Sequence, residues 1–142
     1  MASTSHVRWE GTVAEGKGHI ETGTGTVDAD YTAAGRFGDG GGTNPEELMA
    51  ASHAACFSMA LTLILENGGH KPESVDTDAK VYLKKDGEGF TIHKIDLATV
   101  GTVPGIDEAA FVEAAETAKA VCPVSKALAG VGEITLEAKL AG

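Results

Sequence analysis

A stretch of 18 residues without a formal charge, residues 48–65, constrains the fold more than any other part of the chain. Pro45 precedes this stretch and two glutamates follow Pro45, an order that is typical of the first turn of a helix. The pair Gly68 and Gly69 predicts the helix end. We therefore predict a helix from Pro45 to about Asn67. Its apolar positions surround the axis, which predicts burial on most sides.

The same stretch reaches the lower length limit for a membrane span. Its polar residues are spread along it, however, and its flanks are acidic with no excess of Lys or Arg. The sequence therefore predicts a buried helix of a soluble protein, with no membrane partner.

The length and the charge exclude several classes of protein. A chain of 142 residues fits a single domain over residues 1–142. The formal net charge of −10 disfavours nucleic acid and anionic lipid as partners, because binding to phosphates depends on Lys and Arg. Residues 1–10 show no secretory signal, so we expect a cytoplasmic protein.

Glycine turns and alternating apolar residues divide the rest of the chain into short elements. The predicted order is three strands, the long helix, two strands, a broken helix and one strand, which indicates an α+β fold. The strands are predicted at residues 7–15, 19–22, 24–30, 74–85, 90–100 and 133–140, and the broken helix at 107–120 with a restart at Pro123. Residues 33–43 are rich in glycine and predict a loop that presents Arg36.

The chain has two cysteines, Cys56 and Cys122, which lie far apart in the sequence. In a cytosolic protein such cysteines are either inert core residues or a redox pair, since that compartment keeps structural thiols reduced. Neither belongs to a CxxC motif, and the histidines have no metal-ligand spacing, so no metal is expected. His53 lies one helical turn before Cys56, which leaves a Cys/His hydrolase as an alternative, although a core histidine is the commoner case.

Four motifs together resemble the OsmC/Ohr family of organic hydroperoxide peroxidases, and details such as Trp9-x-Gly11 resemble its OsmC branch. The motifs are Arg36-Phe37, the run Gly42-Thr43-Asn44-Pro45-Glu46-Glu47-Leu48, the run His53-Ala54-Ala55-Cys56-Phe57-Ser58-Met59-Ala60-Leu61, and Val121-Cys122-Pro123-Val124-Ser125. The resemblance extends over essentially the whole chain.

The resemblance implies an OsmC-like fold, with about six strands in two antiparallel sheets around two central helices, in an intertwined homodimer. It also implies a stress-response enzyme that reduces organic hydroperoxides, and hydrogen peroxide less well. Cys56 would be oxidised to sulfenic acid and Cys122 would resolve it as a disulfide, with Arg36 and Glu46 beside the reactive thiol. A small or lipoyl-type protein-bound dithiol would return the electrons, and no metal or flavin is implied.

Two points of physical chemistry qualify this expectation. Glu46 and Cys56 are separated by about 15 Å along one helix and about 80° around it, so they cannot meet within that helix. We therefore expect Glu46 to act through Arg36 or on a partner subunit. Cys122 at a helix N-terminus favours the thiolate, whereas apolar surroundings disfavour it at Cys56, so this argument alone favours Cys122 as the first nucleophile.

One further alternative remains open at this stage. This alternative is a stress protein that binds apolar small molecules without turnover, in which the cysteines only pack. Phe37, Phe57, Met59 and Phe111 are candidates for the wall of an apolar pocket for alkyl tails, and ordinary core packing explains them equally well.

Overall fold

A computed structural model gives the structure of the chain and describes residues 1–38 and 40–142. The chain divides into two compact units, Met1–Leu48 and Met49–Gly142. The prediction of one domain over residues 1–142 stays a prediction. The elements are β1 (Ser5–Glu10), β2 (Lys17–Thr22), β3 (Asp28–Tyr31), α1 (Ala33–Phe37), α2 (Pro45–Asn67), β4 (Ser74–Asp86), β5 (Gly89–Thr102), α3 (Glu108–Val121), α4 (Pro123–Ala127) and β6 (Glu133–Leu140).

The first unit contains an antiparallel sheet in the order β1-β2-β3. The three predicted strands are confirmed, but the first ends at Glu10 because Gly11 turns the chain at a φ of 91°. Gly18 lies under the ring of Tyr31, where a Cβ atom would come within 2.1 Å of a ring carbon. The ring of Tyr31 also packs against Trp9, with centroids 5.4 Å apart.

The predicted loop at residues 33–43 is wrong in its first half, where the short helix α1 forms. Thr32 caps this helix, because its hydroxyl oxygen accepts a hydrogen bond of 3.0 Å from the N–H of Gly35. The N–H of Gly38 then closes the helix on the carbonyl of Ala34 at 2.9 Å. Asp39, which belongs to the same predicted loop, lies outside the described residues. Arg36 is therefore presented by a capped helical turn.

The second unit contains a sheet in the order β4-β5-β6. Strands β4 and β5 form the predicted antiparallel hairpin. Strand β6 pairs with β5 in parallel, so the expectation of two antiparallel sheets is wrong for this pair. The physical reason is the long connection between the two strands, since α3 and α4 carry the chain back across the sheet before β6 begins.

Two helices pack against one face of this sheet and form the core. Every fourth residue of α2 from His53 to Leu65 is buried, and α3 supplies a second buried stripe. Gly101 allows close approach of α3, since a Cβ atom at this position would lie 2.4 Å from the Phe111 ring. The fully buried apolar residues are Phe57, Leu61, Leu65, Ile95, Leu97, Phe111, Ala115, Ala118 and Cys122.

Helix α2 ends as predicted at the glycine pair. The N–H of His70 bonds to the carbonyl of Leu65 at 2.9 Å and the N–H of Gly69 to that of Glu66 at 3.0 Å, with Gly69 at a φ of 87°. These are the two hydrogen bonds of a Schellman cap.

The expectation that α2 is buried on most sides is wrong for the single chain. The face toward the sheet is buried, but Met59 and Leu63 on another face remain 75% and 57% exposed. By length and composition alone α2 is apolar enough to cross a membrane, and only 22% of its most apolar window is buried within the chain. The sheet covers one side of the helix, so an apolar stripe at positions 55, 59 and 63 is left uncovered.

Candidate functional site

The two cysteines lie together in the second unit although the sequence separates them widely. Cys56 lies in the middle of α2, and Cys122 lies at the joint between α3 and α4. Both are free thiols, and each thiol acts on the pKa of the other. Cys56 is half-buried, whereas Cys122 has no exposed surface. The structure therefore brings together the pair that the sequence singled out.

Cys122 occupies the N-cap position of α4, where Pro123 follows as the first helical residue. Burial by itself raises the pKa of the Cys122 thiol, but the backbone N–H of Ser125, the Cys56 thiol and the Ser125 hydroxyl outweigh it, and the net pKa lies below the ordinary value. The sulfur makes no capping hydrogen bond of standard geometry. The N–H groups of Val124 and Ser125 therefore act on it as oriented dipoles at a helix N-terminus.

Cys56 lines a groove of the second unit with a volume of about 860 Å³. Burial raises the pKa of the Cys56 thiol, and its hydrogen bond with Cys122 raises it further. The neutral form of Cys56 is thus favoured while Cys122 ionises first. The apolar side chains along the groove include Met59, Leu63, Ile64, Val75, Val121 and Pro123.

His53 is a fully buried histidine, as the commoner interpretation of the sequence held. Its Nε2 atom lies 2.7 Å from the hydroxyl oxygen of Ser125 rather than against Cys56. Burial lowers the pKa of His53, so the ring is neutral at neutral pH. Ser125 is not among the candidate site residues that the sequence predicts. The available signal was its position three residues after Cys122, in the first turn of α4.

Arg36 and Glu46 form an ion pair in the first unit. The Nε atom of Arg36 lies 3.1 Å from both carboxylate oxygens of Glu46, and Nη2 donates to Oε1 at 2.7 Å. Glu46 is buried and the Arg36 side chain is 36% exposed. The fork of the guanidinium is therefore fixed by Glu46, with part of its surface still accessible.

Of the four candidates for an apolar pocket wall, one lines the groove. Phe57 and Phe111 belong to the core, Met59 lines the groove, and Phe37 stacks near the Arg36 guanidinium at 5.4 Å from ring centroid to carbon. Over residues 1–38 and 40–142, no group of three or more His, Cys, Asp and Glu side chains is arranged to hold a metal ion.

Comparison with known sequences gives consistent matches. The sequence profile of the family described as OsmC-like protein matches residues 38–137. Peroxiredoxin OsmC of Escherichia coli (strain K12) is 48% identical over 133 residues, which cover 93% of this chain and 92% of that protein. Organic hydroperoxide resistance protein OhrB of Bacillus subtilis (strain 168) is 34% identical over 125 residues, covering 86% and 89%.

Solved structures agree with these matches. The crystal structure of OhrB from Bacillus subtilis has a TM-score of 0.68 at 31% identity and covers 97% of this chain and 98% of its own. An organic hydroperoxide resistance protein from Elizabethkingia anophelis reaches a TM-score of 0.75 at 26% identity, with 99% of both chains covered. The fold, the thiol pair and the relatives converge, and the chain belongs to the OsmC family.

Proposed function

We propose that this protein is a thiol-dependent peroxidase that reduces organic hydroperoxides to alcohols, and hydrogen peroxide less well. The observation that carries the proposal is the contact between two free thiols, one lining an apolar groove and the other completely buried beside it. The relatives named peroxiredoxin OsmC and organic hydroperoxide resistance protein support the same chemistry.

Access determines which thiol we assign to the attack. Cys56 faces the groove, whereas Cys122 has no exposed surface through which a hydroperoxide could reach it. Cys122 is the more acidic thiol, but a nucleophile must approach the peroxide oxygen within about 3–3.5 Å before it can react. We therefore assign the first attack to Cys56, against the argument from acidity alone.

The two neighbouring thiols can exchange one proton, and this exchange allows Cys56 to attack as a thiolate. With Cys122 ionised, the pair holds one proton, on Cys56. Transfer of that proton to Cys122 gives a Cys56 thiolate, which attacks the terminal peroxide oxygen. The O–O bond breaks, Cys56 becomes a sulfenic acid, and the leaving alkoxide takes the proton from Cys122 to form the alcohol. Cys122 is then again a thiolate.

We propose that Arg36 stabilises the thiolate and the developing negative charge on the leaving oxygen, with Glu46 as the residue that fixes the guanidinium. Arg36 carries a permanent charge, and its bidentate contact with Glu46 leaves part of the fork exposed. We assign this role to the Arg36 and Glu46 of one subunit acting on the Cys56 of another, in a composite site.

A homodimer accounts for the uncovered face of α2. Exposed apolar residues at positions 59 and 63 have no cover within the chain, and a second copy would bury them against the same stripe about a two-fold axis. The net charge of −10 and the acidic flanks of α2 argue against a bilayer as the cover. We propose a cytoplasmic dimer that uses a small or lipoyl-type dithiol as reductant.

The hydrolase alternative has little support. A Cys/His pair requires the imidazole to face the cysteine, whereas Nε2 of His53 contacts Ser125. A Ser125/His53 hydrolase is equally poorly supported, because the serine is only 6% exposed and the other ring nitrogen has no orienting partner among residues 1–38 and 40–142.

Thiol counting tests the function directly. One equivalent of cumene hydroperoxide per chain is expected to remove two titratable thiols, because formation of the disulfide consumes both. The measurement is titration with a thiol reagent under denaturing conditions, before and after oxidation and again after addition of dihydrolipoamide, which should restore both thiols. No loss of thiols would favour the protein that binds apolar molecules without turnover.

A further inference from the structure

A buried hydrogen-bonded pair, His53 and Ser125, lies beside Cys122. His53 has no exposed surface, and Ser125 is 6% exposed. The His53 Nε2 atom and the Ser125 hydroxyl oxygen are 2.7 Å apart, and the Ser125 hydroxyl and N–H both act on the Cys122 sulfur. Neither residue touches the groove that Cys56 lines.

The unpartnered nitrogen of His53 determines which atom donates in the hydrogen bond between His53 and Ser125. Nδ1 is buried and has no hydrogen-bond partner in the described part of the chain. A buried N–H without an acceptor is costlier and rarer in protein interiors than a buried acceptor without a donor. The ring proton therefore belongs on Nε2, and Nδ1 carries no proton. Nε2–H then donates to the Ser125 oxygen, which leaves the Ser125 hydroxyl proton available to act on Cys122.

We propose that His53 and Ser125 are positioning residues for the second step of the reaction, because their aligned donors hold Cys122 as the thiolate that forms the disulfide. This proposal rests on the proposed peroxidase function, in which Cys122 is the resolving cysteine.

The second step shows why these donors matter. The Cys122 thiolate attacks the sulfur of the Cys56 sulfenic acid, the S–S bond forms, the S–O bond breaks, and hydroxide leaves to become water on protonation. Once Cys56 is oxidised it no longer offers its S–H to Cys122. Ser125, aligned by His53, is then the side-chain donor that remains among those acting on Cys122.

The titratable groups that act on Cys122 are few. Cys56 from α2 is one, and His53 from α2 acts through Ser125 of α4. Burial lowers the pKa of His53, so it acts as a neutral donor and not as a cation. The effect on Cys122 is therefore expected to depend on hydrogen-bond direction, and a neutral donor of similar shape should replace the imidazole.

The test measures the pKa of Cys122 in a Cys56→Ser background, where it is the remaining cysteine, from the ultraviolet absorbance of the thiolate against pH. Ser125→Ala is expected to raise this pKa by about one unit, which corresponds to about a tenfold smaller thiolate fraction near neutral pH. Ser125→Thr should restore the lower value. Thr77→Val is the matched control, since it removes a partly buried, hydrogen-bonded hydroxyl elsewhere in the second unit.

The His53 variants form a second, independent pair if Ser125→Ala does not fold. His53→Leu is expected to raise the pKa of Cys122, and His53→Gln, which keeps a side-chain N–H, should leave it closer to the original. An unchanged pKa in Ser125→Ala or His53→Leu would overturn the proposal. This readout uses no peroxide, so it is distinct from failure of the proposed function.

A kinetic readout completes the test in chains that retain both cysteines. After a single addition of cumene hydroperoxide, Ser125→Ala should form the disulfide about tenfold more slowly. Oxidation of Cys56 should not be slowed, because a higher proton affinity of Cys122 does not hinder transfer of the Cys56 proton to it. Disulfide formation at an unchanged rate would overturn the proposal and leave the peroxidase assignment intact. Loss of peroxide consumption in the unmodified protein would instead refute the function itself.

Discussion

Replacement of Cys56 by serine is expected to lower the rate of cumene hydroperoxide consumption by about a thousandfold or more, because loss of a nucleophile removes the reacting atom itself. A serine hydroxyl has almost no anionic form at neutral pH and is a poor nucleophile toward peroxide oxygen. The measurement is the initial rate of peroxide loss in the presence of dihydrolipoamide. Circular dichroism spectra should match those of the unmodified protein, since Cys56 is half-buried and serine is of similar size.

Cys122→Ser is the matched control for this experiment, because it removes the same atom type from the same thiol pair. This variant is expected to consume one equivalent of peroxide rapidly, since Cys56 remains in the groove. It should then be lost progressively to overoxidation, because no partner thiol protects the sulfenic acid. Undiminished turnover in Cys56→Ser would refute the assignment of Cys56 as the nucleophile.

Mixing two inactive chains is expected to restore activity if the site is composite. One chain carries Cys56→Ser, and the other carries Arg36→Met with Glu46→Gln, which removes both charges and so avoids an unpaired buried carboxylate. In a two-fold dimer the mixed species has one complete site, and a statistical mixture should regain about a quarter of the unmodified activity. The measurement is peroxide consumption after refolding the chains together.

The control for the mixing experiment is each inactive chain refolded with itself, which should show no rescue. Mass spectrometry of differently tagged subunits establishes that mixed dimers have formed, and analytical ultracentrifugation gives the oligomeric state. A complete absence of activity in proven mixed dimers would contradict the composite site. A monomer at micromolar concentration would contradict the dimer.

Much of the second unit could be predicted from local sequence signals. The glycine pair at 68 and 69 ends α2 through a local cap, and the alternation in β4 and β5 follows from one buried face. The parallel pairing of β6 could also be predicted from the sequence. A connection that contains two helices is the usual route to a parallel neighbour, but the expectation of antiparallel sheets came from the family resemblance.

The errors have identifiable physical causes. Glycine content suggested a loop at residues 33–43, and the cap that Thr32 provides outweighed it locally. Apolar residues all round α2 predict burial on most sides, yet the chain supplies a sheet on only one side. The periodicity of a helix records how many faces are apolar and does not record which molecule covers each face.

The sequence indicates candidate site residues but not their geometry. The sequence contains the cysteines, Arg36 and Glu46, and the ten-residue spacing of Arg36 and Glu46 does not reveal their bidentate contact. The hydrogen bond between His53 and Ser125 depends on the placement of α4 against α2, which no local sequence pattern encodes. Tertiary packing determined the partner of this histidine, and so changed a hydrolase candidate into a positioning residue.

The most direct test of the central claim, that Cys56 attacks and Cys122 resolves, is to locate the sulfenic acid after one equivalent of cumene hydroperoxide. A dimedone probe and peptide mass spectrometry would be applied to the Cys122→Ser and Cys56→Ser variants in parallel. We predict an adduct on Cys56 in the first variant and none on Cys122 in the second. A peroxide-dependent adduct confined to Cys122 would contradict the account.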